Sequence, residues 1–226
     1  LKKYIITAID TDAGKTVATG VLAKTFANLG IKVITCKLAQ TGCEGISIDI
    51  QEHRRLMSIG LQPYDLDGTT CPFIFPFPAS PHLSAKLTNQ TIDLEVIDKN
   101  ITQLASQCDM LLIEGVGGIM VPILPDYLVV DFIADRQLPV ILVTSARLGS
   151  INHTLLTLEV CHQRNIEVAA IIFNHYPASP EVIANDTSQY IKSFAKNHFP
   201  NICWMELPSS QNTDNLIITS NIQSLL

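Results

Sequence analysis

Short apolar runs of strand length alternate along this chain with longer stretches whose apolar residues recur at helical spacing. Tyr4 to Ile9 is the first such run, apolar and rich in β-branched residues. The small polar segment Asp10 to Gly14 follows it. From Lys15 onward Val17, Val21, Leu22, Thr25 and Leu29 repeat as one helix face until Gly30 ends the helix. Lys32 to Leu38 (KVITCKL) reads as a second strand running into Ala39 to Gly42, and Ile46 to Ile59 as a helix with Asp49 near its start. Gln62 to Pro81 is rich in proline and phenylalanine, which suits a folded loop whose aromatics are buried. Ser80-Pro81 then opens a helix, serine capping and proline in the first turn.

A helix from about Ile92 to Gln107 leads into Asp109 to Glu114, whose apolar interior is of the kind buried inside a parallel sheet. Helix 128–137, strand Pro139 to Thr144, helix Ile151 to Asn165 and strand Val168 to Asn174 continue the alternation. A helix near 181–198 and a strand Ile202 to Glu206 complete it, and the tail Leu216 to Leu226 specifies no element. Repeated strand–helix units predict one α/β domain spanning 1–226. Its sheet is mostly parallel with helices on both faces, and ligands sit at the carboxyl ends of the strands. Thr11 to Thr16, Lys37 with Thr41, Glu114 to Gly118, Thr144 to Ser150 and Asn174 all follow a strand directly. They are expected to face one crevice.

The segment joining the first strand to the first helix is the most informative. A strand, a tight turn and then Gly14-Lys15-Thr16 opening a helix is the geometry of a phosphate-binding loop, a P-loop NTPase-like start. The turn's backbone N–H groups and the unpaired donors of the helix start point at one concavity, on the positive end of the helix dipole. Lys15 is expected to reach the outer phosphates of a nucleoside triphosphate, and the Thr16 hydroxyl to ligate magnesium. The usual pattern has a glycine five places before Gly14, where this chain has Ile9 beside Ala8.

Composition narrows the partners. Of 226 residues 47% are hydrophobic, enough for a substantial core, and the formal net charge is −6 with no Lys/Arg cluster. A nucleic-acid surface is not expected, because phosphate contacts need concentrated positive charge. No apolar run approaches a membrane span. Leu1-Lys-Lys before apolar residues resembles a signal peptide, but the run ends at Asp10 without a cleavage site. Six scattered cysteines, none in a Cys-x-x-Cys pair, read as reduced thiols in a cytoplasmic protein.

Glu114 closes an otherwise apolar strand, a costly place for a charge without a cation. With Thr16 and Asp49 it makes an oxygen-only set suited to magnesium, against the alternatives of a salt-bridged strand end and an ordinary acid at a helix start. Lys37 leaves the second strand as a second lysine near the phosphates, a pairing that suits phosphoryl transfer. Gly149-Ser150 opening the helix INHTLLTLEV is another helix start, which the residues alone read as plain capping by Ser150. The six histidines show no metal spacing, and no Ser/His/Asp or Cys/His set stands out.

DTDAGKT at 10–16, KLAQTG at 37–42, PASPHLSA at 78–85, IEGVGG at 113–118 and PVILVTSARLGSINHTLLT at 139–157 together resemble the dethiobiotin synthetases, ATP-dependent cyclo-ligases of biotin synthesis. The similarity runs from Tyr4 to about Pro208. It implies that 7,8-diaminopelargonic acid, carbon dioxide and ATP give a cyclic urea through a carbamate and a carbamic–phosphoric anhydride. By position it implies that Asp12, Ala13, Gly14, Lys15, Thr16 and Val17 hold the nucleotide, with Lys15, Lys37 and Thr11 around the transferring group. Thr16, Asp49 and Glu114 would hold Mg2+. Gly115, Val116, Gly117 and Gly118 would line the carbamate pocket, the first three also meeting nucleotide. Asn174, His175 and Pro208 would meet adenine, and Thr41 and Pro81 the substrate. The resemblance further implies a homodimer, in which Gly149, Ser150, Ile151, Asn152 and His153 of the partner receive the substrate carboxylate with Tyr190. Departures from the family's usual residues are Ala8 for glycine, Leu38 for proline and Arg147 for lysine. Two rivals share the fold class. One is a cobyrinate-type amide ligase, for whose glutaminase domain and nucleophilic cysteine the chain has no room or candidate. The other is a partition- or septum-positioning ATPase switch, whose extra early lysine and basic terminal helix are absent here.

Overall fold

All six apolar runs enter one parallel sheet. The computed structural model describes residues 1–209, 216, 218 and 222–226. In chain order the elements are β1 (Lys2–Ala8), α1 (Lys15–Asn28), β2 (Val33–Lys37), β3 (Gln40–Thr41), α2 (Ile48–Leu56), α3 (Pro63–Leu66), β4 (Ile74–Phe75), α4 (Pro81–Leu87) and α5 (Leu94–Ala105). They continue with β5 (Met110–Glu114), β6 (Pro122–Leu124), β7 (Tyr127–Leu128), α6 (Val129–Asp135), β8 (Val140–Ser145), α7 (Ser150–Gln163), β9 (Val168–Asn174), α8 (Glu181–His198) and β10 (Cys203–Leu207). The order across the sheet is β2-β5-β1-β8-β9-β10, every neighbouring pair parallel. Two small two-stranded pairings, β3 with β4 and β6 with β7, lie outside it. Of the tail 216–226, residues 217 and 219–221 lie outside the described residues, and Ile222–Leu225 form a 3-10 turn.

Burial explains the order. β8 is buried at all six positions and β5 at all five, as strands covered on both faces must be. β10 alternates buried and half-buried residues, as an edge strand does. The core is continuous from Phe26 of α1 to Phe132 of α6 and Phe173 of β9, all three fully buried. Each such ring contributes roughly 1.5–3 kcal/mol of transfer free energy.

Register sets up the site. β1 lies between β5 and β8, so its carboxyl end opens at the centre of the sheet edge. β2 and β5 pair with Lys37 opposite Glu114. Residues in register on parallel neighbours project to the same face, so these two side chains are delivered side by side. On that face α2 packs across α1 at Gly20, where an added Cβ would lie 2.6 Å from Leu56 Cδ1 and 3.2 Å from His53 Cα. Only glycine permits that approach, which brings α2 over the end of β5.

Two expected caps are corrected. Gly149, not Ser150, occupies the N-cap of α7, with φ 89°. Ser150 is the first helical residue, and its hydroxyl is shared with Ser145 at 2.9 Å. Ser80 does sit at the N-cap of α4, but its side chain makes no capping bond. Pro81 follows it with a preset helical φ, so the helix starts without one.

Candidate active site

At the carboxyl edge of the sheet lies a crevice of about 1400 Å³. That exceeds an ordinary small-ligand pocket of roughly 300–1,000 Å³, leaving room for a nucleotide and a second substrate together. Its wall includes Thr11, Asp12, Gly14, Lys15, Thr16 and Val17 from the loop and the start of α1. Lys37, Thr41, Asp49, Pro81, Glu114, Val116, Gly117, Asn174 and Pro208 complete the expected set found there.

The loop needs a glycine at one position above all. Gly14 has φ 97°, and a Cβ there would lie 2.3 Å from Asn174 Nδ2. The Asn174 amide donates to the Ala13 carbonyl at 3.0 Å and accepts from the Tyr176 N–H at 3.0 Å. Asn174 is therefore a brace between β9 and the loop as well as a wall of the crevice. Ala8, by contrast, ends β1 in extended backbone, and its methyl group is fully buried in the core. The strand makes no demand for glycine there.

The charged centre lies between α1, α2, β2 and β5. Lys15 is nearly buried, with Nζ 3.3 Å from the Asp10 carbonyl oxygen. Burial pulls its pKa below the ordinary lysine value, partly offset by Glu114. Glu114 is fully buried and ionised. Burial pushes its pKa up, but the Lys37 ammonium and the His53 hydrogen bond together outweigh that and hold it well below the carboxylate range. Its Oε1 accepts from Lys37 Nζ at 2.9 Å and from the Thr16 hydroxyl at 3.1 Å, and Oε2 pairs with His53 Nε2 at 2.7 Å. Lys37 also pairs with Asp49. Burial opposes the Lys37 charge, but Glu114 and Asp49 win, and its pKa lies above the ordinary lysine value. The possibility of a strand-end lysine pointing to water is thereby excluded, since Lys37 is 6% exposed.

His53 was not singled out by its sequence. Its one legible signal is its position four residues after Asp49, which puts both side chains on one face of α2. Arg147 also lines the crevice, 3.9 Å from Asp10, with Gln40, Ser80 and Tyr176. Among the described residues no group of three His, Cys, Asp or Glu is placed to hold a metal by itself.

Comparison with known proteins decides the family. A family model described as AAA domain matches residues 2–207. The ATP-dependent dethiobiotin synthetase BioD of Chlorobaculum tepidum is 51% identical over 193 residues, 85% of this chain and 81% of that protein. The ATP-dependent dethiobiotin synthetase BioD 2 of Haemophilus ducreyi is 49% identical over 88% of this chain and 95% of its own. The chain belongs to the dethiobiotin synthetase family. The fold alone extends further. A ParA family ATPase from Chlorobium tepidum TLS superposes with a TM-score of 0.55 at 16% identity, covering 93% of this chain and 85% of its own. The MinC:MinD cell division protein complex of Aquifex aeolicus gives 0.56 at 14% identity, covering 95% and 86%.

Against the family expectation, the remaining residues divide into two groups. Ala13, Gly115, Gly118 and His175 adjoin the crevice in the chain but form none of its wall. Gly118 supports the loop from behind, where a Cβ would lie 3.3 Å from the Ala8 carbonyl oxygen. His175 pairs with Glu206, which also accepts from Trp204 Nε1 at 2.5 Å. Gly149, Ser150, Ile151, Asn152 and His153 are outside this chain's own crevice, and so is Tyr190 on α8, 52% exposed. The expectation that every polar strand end faces one crevice is met by Arg147 alone in the stretch Thr144 to Ser150. Thr144, Ser145 and Ser150 are buried, the Thr144 hydroxyl bonded to Thr154 and those of Ser145 and Ser150 to each other.

Proposed function

We propose that the protein closes the ureido ring of dethiobiotin from 7,8-diaminopelargonic acid, carbon dioxide and ATP, releasing ADP and phosphate. The observation that carries this is the meeting of Lys15, Lys37, Thr16, Asp49 and Glu114 beside a phosphate-binding loop, in a chain of this family. One substrate amine takes up carbon dioxide as a carbamate. A carbamate oxygen attacks the γ-phosphorus and the bond to ADP breaks. The second amine then attacks the carbamic carbon, loses its proton and expels phosphate.

The loop N–H groups and the start of α1 hold the phosphates on the positive end of the helix. Lys37 acts as fixed charge and not as a proton acceptor, because Glu114 and Asp49 keep it cationic. Lys15, which also lines the crevice, shares the negative charge that spreads over the transferring oxygens. Thr11 and Thr41 flank this centre. The Thr16 hydroxyl and the Lys37 ammonium both meet Glu114 Oε1, and Lys37 also pairs with Asp49, so Thr16, Glu114 and Asp49 gather their oxygens around the Lys37 head. An all-oxygen set too small to hold a metal alone fits magnesium, which keeps waters and takes phosphate oxygens as further ligands. Thr16, Asp49 and Glu114 would hold the ion beside the loop, where it would supply charge neutralisation for the transferring phosphate.

The reading extends to a homodimer. Gly149, Asn152, His153 and Tyr190 are exposed and lie outside this chain's crevice, which suits completion of a partner's crevice. No helix among the described residues is long and apolar enough to cross a membrane. The test is ATP turnover with and without the diamine and bicarbonate, with dethiobiotin identified by mass. Turnover that ignores both additions, as a switch ATPase would show, overturns the proposal.

A further inference from the structure

His53 is the one fully buried ionisable group at this centre that the proposed chemistry does not use. It meets Glu114, which lines the crevice, without lining the crevice itself. An ionised carboxylate only accepts, so the ring nitrogen Nε2 carries the proton and donates to Glu114 Oε2. The other nitrogen, Nδ1, meets the Thr35 hydroxyl at 3.1 Å. That hydroxyl accepts in turn from Arg54 Nη1 at 2.7 Å. Arg54 is gripped by Asp65 through two bonds of 2.8 Å, and its Nη2 also donates to the Thr35 carbonyl at 3.1 Å. Asp65 is held by the Gln62 N–H and the Thr70 hydroxyl. Every member of the chain Asp65–Arg54–Thr35–His53–Glu114 is buried.

We propose that His53 is a positioning residue for the magnesium ligand Glu114. It occupies Oε2, so that Oε1 alone is presented to Thr16, Lys37 and the cation. The inference rests on the magnesium reading above. Without a donor at Oε2, a carboxylate at the end of β5 would turn to satisfy that oxygen, and Oε1 would leave the Thr16 hydroxyl and the Lys37 ammonium. The chain behind His53 fixes the ring plane, because Thr35 lies in β2 and Arg54 is the next residue of α2. Partners of this kind behind a metal ligand are worth about 10–100-fold in metal affinity.

The test separates this role from general packing. Binding of a non-hydrolysable ATP analogue is measured by calorimetry with excess Mg2+ and with EDTA, and Mn2+ binding to the protein–analogue complex by electron paramagnetic resonance. His53→Asn keeps a group near Thr35 but falls short of Glu114. His53→Gln places an amide N–H near the Nε2 position. The expected result is a 10–100-fold loss of Mn2+ affinity and of the Mg2+ enhancement in His53→Asn. His53→Gln should recover to within about threefold of wild type, and binding in EDTA should be unchanged in both. The Mg2+ enhancement is a ratio within each variant, so a uniform loss of stability does not move it. Should His53→Asn fail to fold, Thr35→Val, which frees Nδ1, is expected to lower the same ratio at least threefold. Equal behaviour of wild type and His53→Asn, equal losses in Asn and Gln variants, or an unmoved ratio in Thr35→Val overturns the inference alone. A wild-type protein whose analogue binding ignores Mg2+ overturns the magnesium site and the inference with it.

Discussion

Replacing Lys37 with methionine keeps the length of the side chain and removes its ammonium. Glu114, fully buried, then loses the cation 2.9 Å from Oε1 and retains only the His53 and Thr16 bonds, while Asp49 loses its partner. Breaking a buried pair from one side costs about 3–5 kcal/mol, because the remaining charge is uncompensated. In a protein of this size each kcal/mol moves the melting temperature by roughly 2–4 °C, so a fall of roughly 6–20 °C is expected. The loss depends on pH with a definite sign. Glu114 has a depressed pKa in the folded state, so its contribution is present above the unfolded value of about 4.3 and is lost as pH falls through the folded one. Without Lys37 the effect of burial dominates, and Glu114 takes up its proton at a higher pH than in the wild type. Lys37 itself has a raised pKa, so its share is present below about 10.4 and lost as pH rises through the folded value. The gap between wild type and Lys37→Met is therefore widest near pH 7, and it narrows as pH falls toward about 4, because protonation of Glu114 relieves the uncompensated charge in the variant. Urea denaturation at pH 7, 5 and 4 measures it. A variant within about 1 kcal/mol of wild type at pH 7, or a gap constant from pH 7 to 4, refutes a buried, paired Lys37. Diamine-dependent turnover of the same variant should fall about 10²–10⁴-fold, the rate equivalent of losing 3–5 kcal/mol at the transition state.

Gly14→Ala, with a Cβ 2.3 Å from Asn174 Nδ2 at φ 97°, should push the brace aside and weaken ATP-analogue binding at least tenfold by calorimetry. An unchanged affinity would show that the loop relaxes without cost. Ala8→Gly should lower stability by about 1 kcal/mol, through a lost core methyl and a freer unfolded chain, without tightening nucleotide binding; tighter binding would reveal a backbone demand that the strand does not show. Lys15→Ala and Ile151→Pro dimers should each be nearly inactive, the latter with α7 intact because proline suits a first turn. After random subunit exchange, half of the dimers are mixed and each has one intact shared site, so about a quarter of wild-type activity should return; no recovery with exchange verified rules out sharing.

Much of this protein was legible before any coordinates. Six apolar runs, among them MLLI of β5, VILV of β8 and AAIIF of β9, specify a buried parallel sheet because strands covered on both faces have no reason to alternate. Gly14-Lys15-Thr16 between a strand and a helix specifies the phosphate loop, since the chemistry resides in local backbone and its two following side chains. Charged residues at apolar strand ends, Lys37 and Glu114, announce themselves by the cost of leaving them unpaired. What local pattern does not carry is register and packing. Only the pairing of β2 with β5 puts Lys37 opposite Glu114, and only the close crossing at Gly20 brings His53 to that carboxylate. Asn174 reaches the Ala13 carbonyl across 161 residues of chain. Ser150 reads as a cap from its neighbours but spends its hydroxyl on Ser145, because Gly149 supplies the left-handed turn that begins α7. Sequence determines each strand, turn and charge through short-range propensity and desolvation. The tertiary structure decides which of them meet, because those contacts depend on the simultaneous placement of segments that share no local signal.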